Sequence, residues 1–160
     1  MIIIGYPGIG KTTLAYQKKG YIDFDSSNFR LGEKRCAYWN IYYCRIATDL
    51  SKQGHTVFVS AHEKVREYLE KSTEPVASIC PELKLKDQWI DKLYRRYRDD
   101  TTLSVAYAKA FVRALHHYEE DVQTLLDCKA IPCITIGSMD YDLEGIIEVA
   151  RTAVERRSMT

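Results

Sequence analysis

Gly5-Tyr6-Pro7-Gly8-Ile9-Gly10-Lys11-Thr12 matches the pattern GxxxxGK[ST], the phosphate-binding loop. The apolar run Met1 to Ile4 precedes it and reads as a buried strand. Thr13-Leu14-Ala15 follows and can open a helix. Strand, loop and helix in that order are the context the motif requires. Glycine lets successive backbone N–H groups turn inward around a polyphosphate, and a helix N-terminus adds its positive dipole end. The residues expected to hold the phosphates are Gly5, Pro7, Gly8, Ile9, Gly10, Lys11, Thr12 and Thr13. Lys11 is placed to reach the outer phosphates, and the Thr12 hydroxyl to bind Mg²⁺.

Bulk properties narrow the field around that loop. A chain of 160 residues suits one domain, 1–160, with a real core. Lys plus Arg total 23 against 22 Asp plus Glu, a formal charge of +1. That balance lacks the basic excess of a duplex nucleic-acid binder. No apolar stretch approaches the roughly 20 residues of a membrane span, and Met1 to Ile4 carries no basic leader, so neither a membrane anchor nor a signal peptide is expected. Cys36, Cys44, Cys80, Cys128 and Cys133 form no CxxC pair. They read as reduced, mostly buried thiols of a cytoplasmic protein. No repeat, linker or low-complexity tract interrupts the chain.

Five short apolar runs read as strands: Ile2–Gly5, Tyr21–Phe24, Thr56–Ser60, Val76–Cys80 and Cys133–Ile136. Most are continuously apolar, as in strands covered by helices on both faces. Helical spacing marks 11–18, 36–53, 63–71, 86–98, 104–128 and 142–156. Alternating strands and helices predict an α/β fold with a parallel sheet in a three-layer sandwich, and the phosphate loop at the carboxyl end of the first strand.

The second strand ends Tyr21-Ile22-Asp23-Phe24-Asp25-Ser26-Ser27. Alternation sends both carboxylates to one side. Asp23 can hold Mg²⁺ through water, and Asp25 can accept a proton from an attacking hydroxyl or orient the acceptor. In the plainer alternative Asp25 caps the next turn and Asp23 sits in a surface ion pair.

With these residues in hand, the chain resembles the small-molecule and nucleotide kinase branch of the P-loop proteins, which includes shikimate, gluconate and nucleoside monophosphate kinases. Asp23 and Asp25 match the acidic strand end of the shikimate and gluconate types. Val57-Phe58-Val59-Ser60-Ala61-His62, followed by Val65-Arg66-Glu67-Tyr68-Leu69, is similar to the gluconate-kinase pattern of a Ser-Ala turn and a helix bearing an Arg. Leu93-Tyr94-Arg95-Arg96-Tyr97-Arg98 sits where the group carries its arginine-rich lid. The resemblance implies a P-loop kinase-like five-stranded sheet of order 2-3-1-4-5, a short lid near 94–104, and ATP with Mg²⁺ as cofactors. It implies Lys11, Asp25, Arg95 and Arg98 as catalytic residues, with Arg95 first. Thr12 and Asp23 become the metal ligands, because no carboxylate ends the third strand where the group usually has one. Alternatively the arginines form a solvated basic face paired with Asp91, Asp99 and Asp100.

The helix from Cys36 carries Tyr38, Trp39, Tyr42, Tyr43 and Arg45 at spacings that bring rings together. A nucleobase can stack there while Arg30 and Arg45 grip a monophosphate; equally, the rings can pack on the sheet. The expected acceptor-binding set is Asp25, Arg30, Trp39, Tyr42, Arg45, Ser60 and Arg66. In related kinases the loop matching Gly137-Ser138-Met139-Asp140 borders the adenine. Asp142-Leu143-Glu144-Gly145 fits DxxG but follows the last strand, and no NKxD occurs, which excludes a GTPase. His62, His116 and His117 lack partners at ligand spacing. The reading is an ATP-dependent kinase, monomer or homodimer, of a small acceptor, a nucleoside or deoxynucleoside monophosphate. The alternatives are a hydroxylated metabolite as acceptor, or a nucleotide-binding switch that hydrolyses ATP slowly.

Overall fold

The computed structural model describes residues 1–31 and 34–159, except for the side chains of Asn28, Arg30 and Leu31. In chain order the elements are β1 (Ile2–Gly5), α1 (Lys11–Gln17), β2 (Tyr21–Asp23), β3 (Arg30–Leu31), β4 (Lys34–Arg35) and α2 (Trp39–Lys52). There follow β5 (Thr56–Ser60), α3 (Glu63–Leu69), β6 (Val76–Pro81), α4 (Lys86–Arg98), α5 (Val105–Leu126), β7 (Cys133–Ile136) and α6 (Leu143–Ser158). Short 3₁₀ turns at Ser26–Phe29 and Leu83–Leu85 precede β3 and α4.

Five strands form one sheet in the order β2-β5-β1-β6-β7, and every pairing in it is parallel. The apolar runs explain why β1 lies at the centre: Ile2, Ile3 and Ile4 are fully buried, with Ile2 opposite Val57 on one side and Val76 on the other. Each such side chain contributes about 1.5–3 kcal/mol on leaving water. The faces are covered by α2 on β1 and β5, α5 on β6, and α6 on β6 and β7. The chain is thus α/β with a parallel sheet, compatible with a three-layer arrangement. All crossovers deliver the strand ends Gly5, Asp23, Ser60 and Pro81 to one edge, the edge that carries the phosphate loop.

Local departures have identifiable causes. The expected long helix from Cys36 begins at Trp39. The segment before it forms the antiparallel pair β3–β4, with Arg30 opposite Arg35, and 36–38 connect β4 to α2. Arg35 lies 4.1 Å over the Trp39 ring and donates to Ser26 Oγ at 3.0 Å, so a cation–π contact ties β4 to the first residue of α2. The first part of the expected lid segment 94–104 is helix: α4 runs to Arg98, and 99–104 connect it to α5. Asp100 holds that connection by accepting from Thr102 N, Thr102 Oγ1 and Ser104 N. All five cysteines are free; Cys44 and Cys80 are buried, whereas Cys36 is exposed. Among the described residues no helix is long and apolar enough to cross a membrane.

Candidate functional site

The loop between β1 and α1 turns on two glycines, Gly8 with φ 87° and Gly10 with φ 103°. Both conformations strain any side chain. A Cβ at Gly8 would also come within 2.9 Å of Leu93 Cδ2. The loop's carbonyls are engaged from outside. Trp89 Nε1 donates to Pro7 O at 2.9 Å and the Tyr141 hydroxyl to Ile9 O at 2.9 Å. Lys92 Nζ in turn donates to the Tyr141 hydroxyl at 2.8 Å and lies 4.4 Å from the Trp89 ring centre. These contacts tie the loop's carbonyls to α4 and to the segment after β7.

Lys11 opens α1 and donates to Gly5 O at 2.7 Å. Burial lowers its ammonium from the ordinary lysine value to about 8; Asp23 opposes that shift and Arg96 adds to it. The next residue, Thr12, donates from Oγ1 to Asp23 Oδ2 at 2.5 Å. The two expected metal ligands therefore meet. Asp25 is exposed and accepts from Ser27 N at 2.8 Å, so it caps the 3₁₀ turn while its carboxylate still lines the cleft.

That cleft has a volume of about 1120 Å³. One wall is the loop and α1, with Asp23, Asp25 and Ser60 at strand ends. Lys92, Arg96 and Tyr107 from α4 and α5, with Met139 and Tyr141 from the loop after β7, also line the cleft. Met139 lies in the loop expected to border the adenine. Arg96 lies 3.8 Å over the Tyr107 ring. Burial is the main force pulling its guanidinium below the ordinary arginine value, with Asp23 and Asp100 among the groups opposing it.

The structure does not bring Arg95 or Arg98 to the cleft. Arg95 pairs with Asp91 at 2.8 Å on the exposed side of α4, and Arg98 pairs with Asp99 at 2.9 Å. Both follow the solvated-face alternative. Of the arginine cluster at 95–98, Arg96 is the member that lines the cleft; Lys92, one turn earlier, was not among the expected site residues. The signal was present: Trp89 and Leu93 are the buried residues of α4, and each is followed three residues later by a cation that lines the cleft, Lys92 and Arg96.

A second cleft of about 500 Å³ adjoins the first and shares Pro7, Lys11, Ser60 and Ala110 with it. Of the expected acceptor set it receives Ser60 and Arg66. Tyr42 is exposed, with Arg45 6.0 Å from its ring, and neither lines either cleft. Trp39 is buried among Arg35, Tyr43 and His62. The Arg30 side chain lies outside the described residues. Tyr43 serves as a brace: its hydroxyl donates to Phe24 O at 2.5 Å and accepts from Ser60 N at 3.0 Å, joining the ends of β2 and β5. Among the described residues no group of three or more His, Cys, Asp and Glu side chains is assembled to hold a metal.

No protein-family model matches the chain, and no curated protein matches it either.

Proposed function

We propose that the chain is an ATP-dependent phosphotransferase that moves the γ-phosphoryl of Mg-ATP to a small acceptor. The observation that carries this reading is the convergence of Lys11, the loop backbone and the Thr12–Asp23 pair on one cleft faced by Lys92 and Arg96. Such transfer asks the protein for position and positive charge more than for covalent chemistry. Lys11 and the amides from Gly8 to Thr12 hold the phosphates. Arg96, fixed over Tyr107, neutralises charge that develops on the moving group. Mg²⁺ bound to ATP phosphates takes few protein ligands and keeps waters, so hard oxygen donors from Thr12 and Asp23 fit it without a larger acidic cluster. The ion would neutralise phosphate charge there. Asp25 orients the acceptor or takes its proton.

A nucleoside monophosphate remains the first acceptor to test. The hydroxylated-metabolite reading gains from the placement of Tyr42 and Arg45 away from both clefts. The test is a coupled assay of ADP release with ATP and a panel of both acceptor classes. Acceptor-dependent release in the native chain, reduced about a hundredfold or more in Lys11→Ala with the fold intact, supports transfer. Release that ignores every acceptor marks a slow ATPase switch instead.

A further inference from the structure

We propose that Cys80 and Cys133 are a peroxide-sensitive dithiol, closing to a reversible disulfide that fastens the α4–α5 segment to the sheet. Their sulfurs lie 3.5 Å apart, and neither residue lines the first or the second cleft.

The strand register brings the two side chains together. Cys133 opens β7 opposite Ser78 of β6, and Cys80 follows Ser78 by two positions. Residues two apart on a strand share a face, so Ser78, Cys80 and Cys133 stand on one side of the sheet. A disulfide is about 2.05 Å long, so rotation of the two side chains has to close a gap of about 1.5 Å. Among the described residues no other two sulfurs touch: Cys44 Sγ faces Val65 O, Cys128 Sγ faces Glu70 Oε1, and Cys36 is exposed.

Exposure divides the roles. β7 is the edge strand and Cys133 on it is half-buried, whereas Cys80 on the next strand inward is fully buried. A peroxide therefore meets Cys133 first. Donation from Cys80 holds the Cys133 thiol below the ordinary cysteine value, against burial, and the Ser78 hydroxyl acts in the same direction. The same sulfur contact, together with burial, holds Cys80 above it. Cys133 is thus the attacking thiolate and Cys80 the resolving thiol.

The oxidant is hydrogen peroxide. The Cys133 thiolate attacks one peroxide oxygen: an S–O bond forms, the O–O bond breaks, and hydroxide leaves with the thiol's proton as water. Cys80 sulfur then attacks the Cys133 sulfenic acid: the S–S bond forms, the S–O bond breaks, and hydroxide leaves with the Cys80 proton as a second water. The two sulfurs lose two electrons and the peroxide gains them; a reducing dithiol reverses the exchange.

The bridged residues are 53 positions apart, and the chain between them holds α4 and α5, which carry Lys92, Arg96 and Tyr107 of the first cleft. Oxidation closes that segment into a covalent ring on the sheet. A ring of this size restricts the unfolded chain, so the oxidised form is the more stable one.

The experiment treats the folded full chain with hydrogen peroxide, removes the excess with catalase, and counts thiols by alkylation in denaturant before non-reducing peptide mapping. The expected result is the loss of two of the five free thiols and a cross-linked peptide joining Cys80 to Cys133. The unfolding midpoint rises by about 5 °C or more, and dithiothreitol restores the starting state. In Cys80→Ser, dimedone captures Cys133 as its sulfenic acid; in Cys133→Ser, Cys80 stays reduced. Absence of the cross-linked peptide overturns the proposal, as does a bridge that forms only in denaturant; both are read on the native chain, whether or not either variant folds. A bridge with no rise in the midpoint overturns the fastening role. Dimedone on Cys80 in Cys133→Ser overturns the order of attack.

Discussion

The Thr12 hydroxyl donates to the Asp23 carboxylate across 2.5 Å and ties the first turn of α1 to the carboxyl end of β2. This contact puts a carboxylate beside the phosphate loop although no acidic residue ends β5. Asp23→Asn keeps the shape and removes the charge. Mg-ATP affinity should fall about tenfold while metal-free ATP binds as before. Calorimetry with and without a chelator checks this. Equal losses under both conditions would make Asp23 a structural partner of Thr12 only.

Lys11 makes a prediction about pH with two opposite signs. Its folded value is held down to about 8 by burial, against an ordinary value of 10.5. Between those pH values the unfolded chain binds the extra proton, so this group's contribution to the stability of the free protein rises with pH. Polyphosphate binding needs the charged ammonium, so ATP affinity should fall over the same window. Subtracting the curves of Lys11→Met from those of the native chain isolates both effects. Parallel trends in stability and affinity would refute the assignment.

Arg96 and Arg95 are chain neighbours with opposite expected weights. Arg96→Ala should lower turnover about tenfold or more, because it removes a guanidinium from the cleft wall. Arg95→Ala loses an exposed i,i+4 pair with Asp91, worth about 0.3–0.5 kcal/mol, and should leave turnover near native. Steady-state kinetics of the two variants decide between them.

Tyr43→Phe should cost stability rather than chemistry. It deletes a hydroxyl that serves Phe24 O and Ser60 N, leaving two backbone groups to find other partners. A loss of about 1–3 kcal/mol in denaturant unfolding is expected. A value near zero would mean that water replaces the hydroxyl.

Much of the scaffold was readable in the chain. The runs at 2–5, 56–60 and 133–136 are strands at those bounds, and Lys86–Arg98 is a helix at those bounds. Each has a long enough apolar or amphipathic pattern to declare its period. β3 and β4 have two residues each, too few to show any period. The aromatic residues of α2 carried an ambiguity that spacing does not resolve: the same i, i+3, i+4 pattern serves a stacking platform or a packed core. Trp39 and Tyr43 went inward, and Tyr42 stayed outside.

The order of residues alone determined the glycine turn between β1 and α1, because Gly8 and Gly10 act through local backbone geometry within a dozen residues. It also determined the parallel α/β character, because period and apolar runs are local properties. Tertiary structure alone decided which cations face that loop. Lys92 and Arg96 reach the cleft because Trp89 and Leu93 anchor α4 against the loop and set its rotation, a packing outcome that no single segment specifies. It also decided that Ser60 and Lys11 both line the place where two clefts join, since 48 residues of chain lie between them and sheet pairing brings the strand ends together.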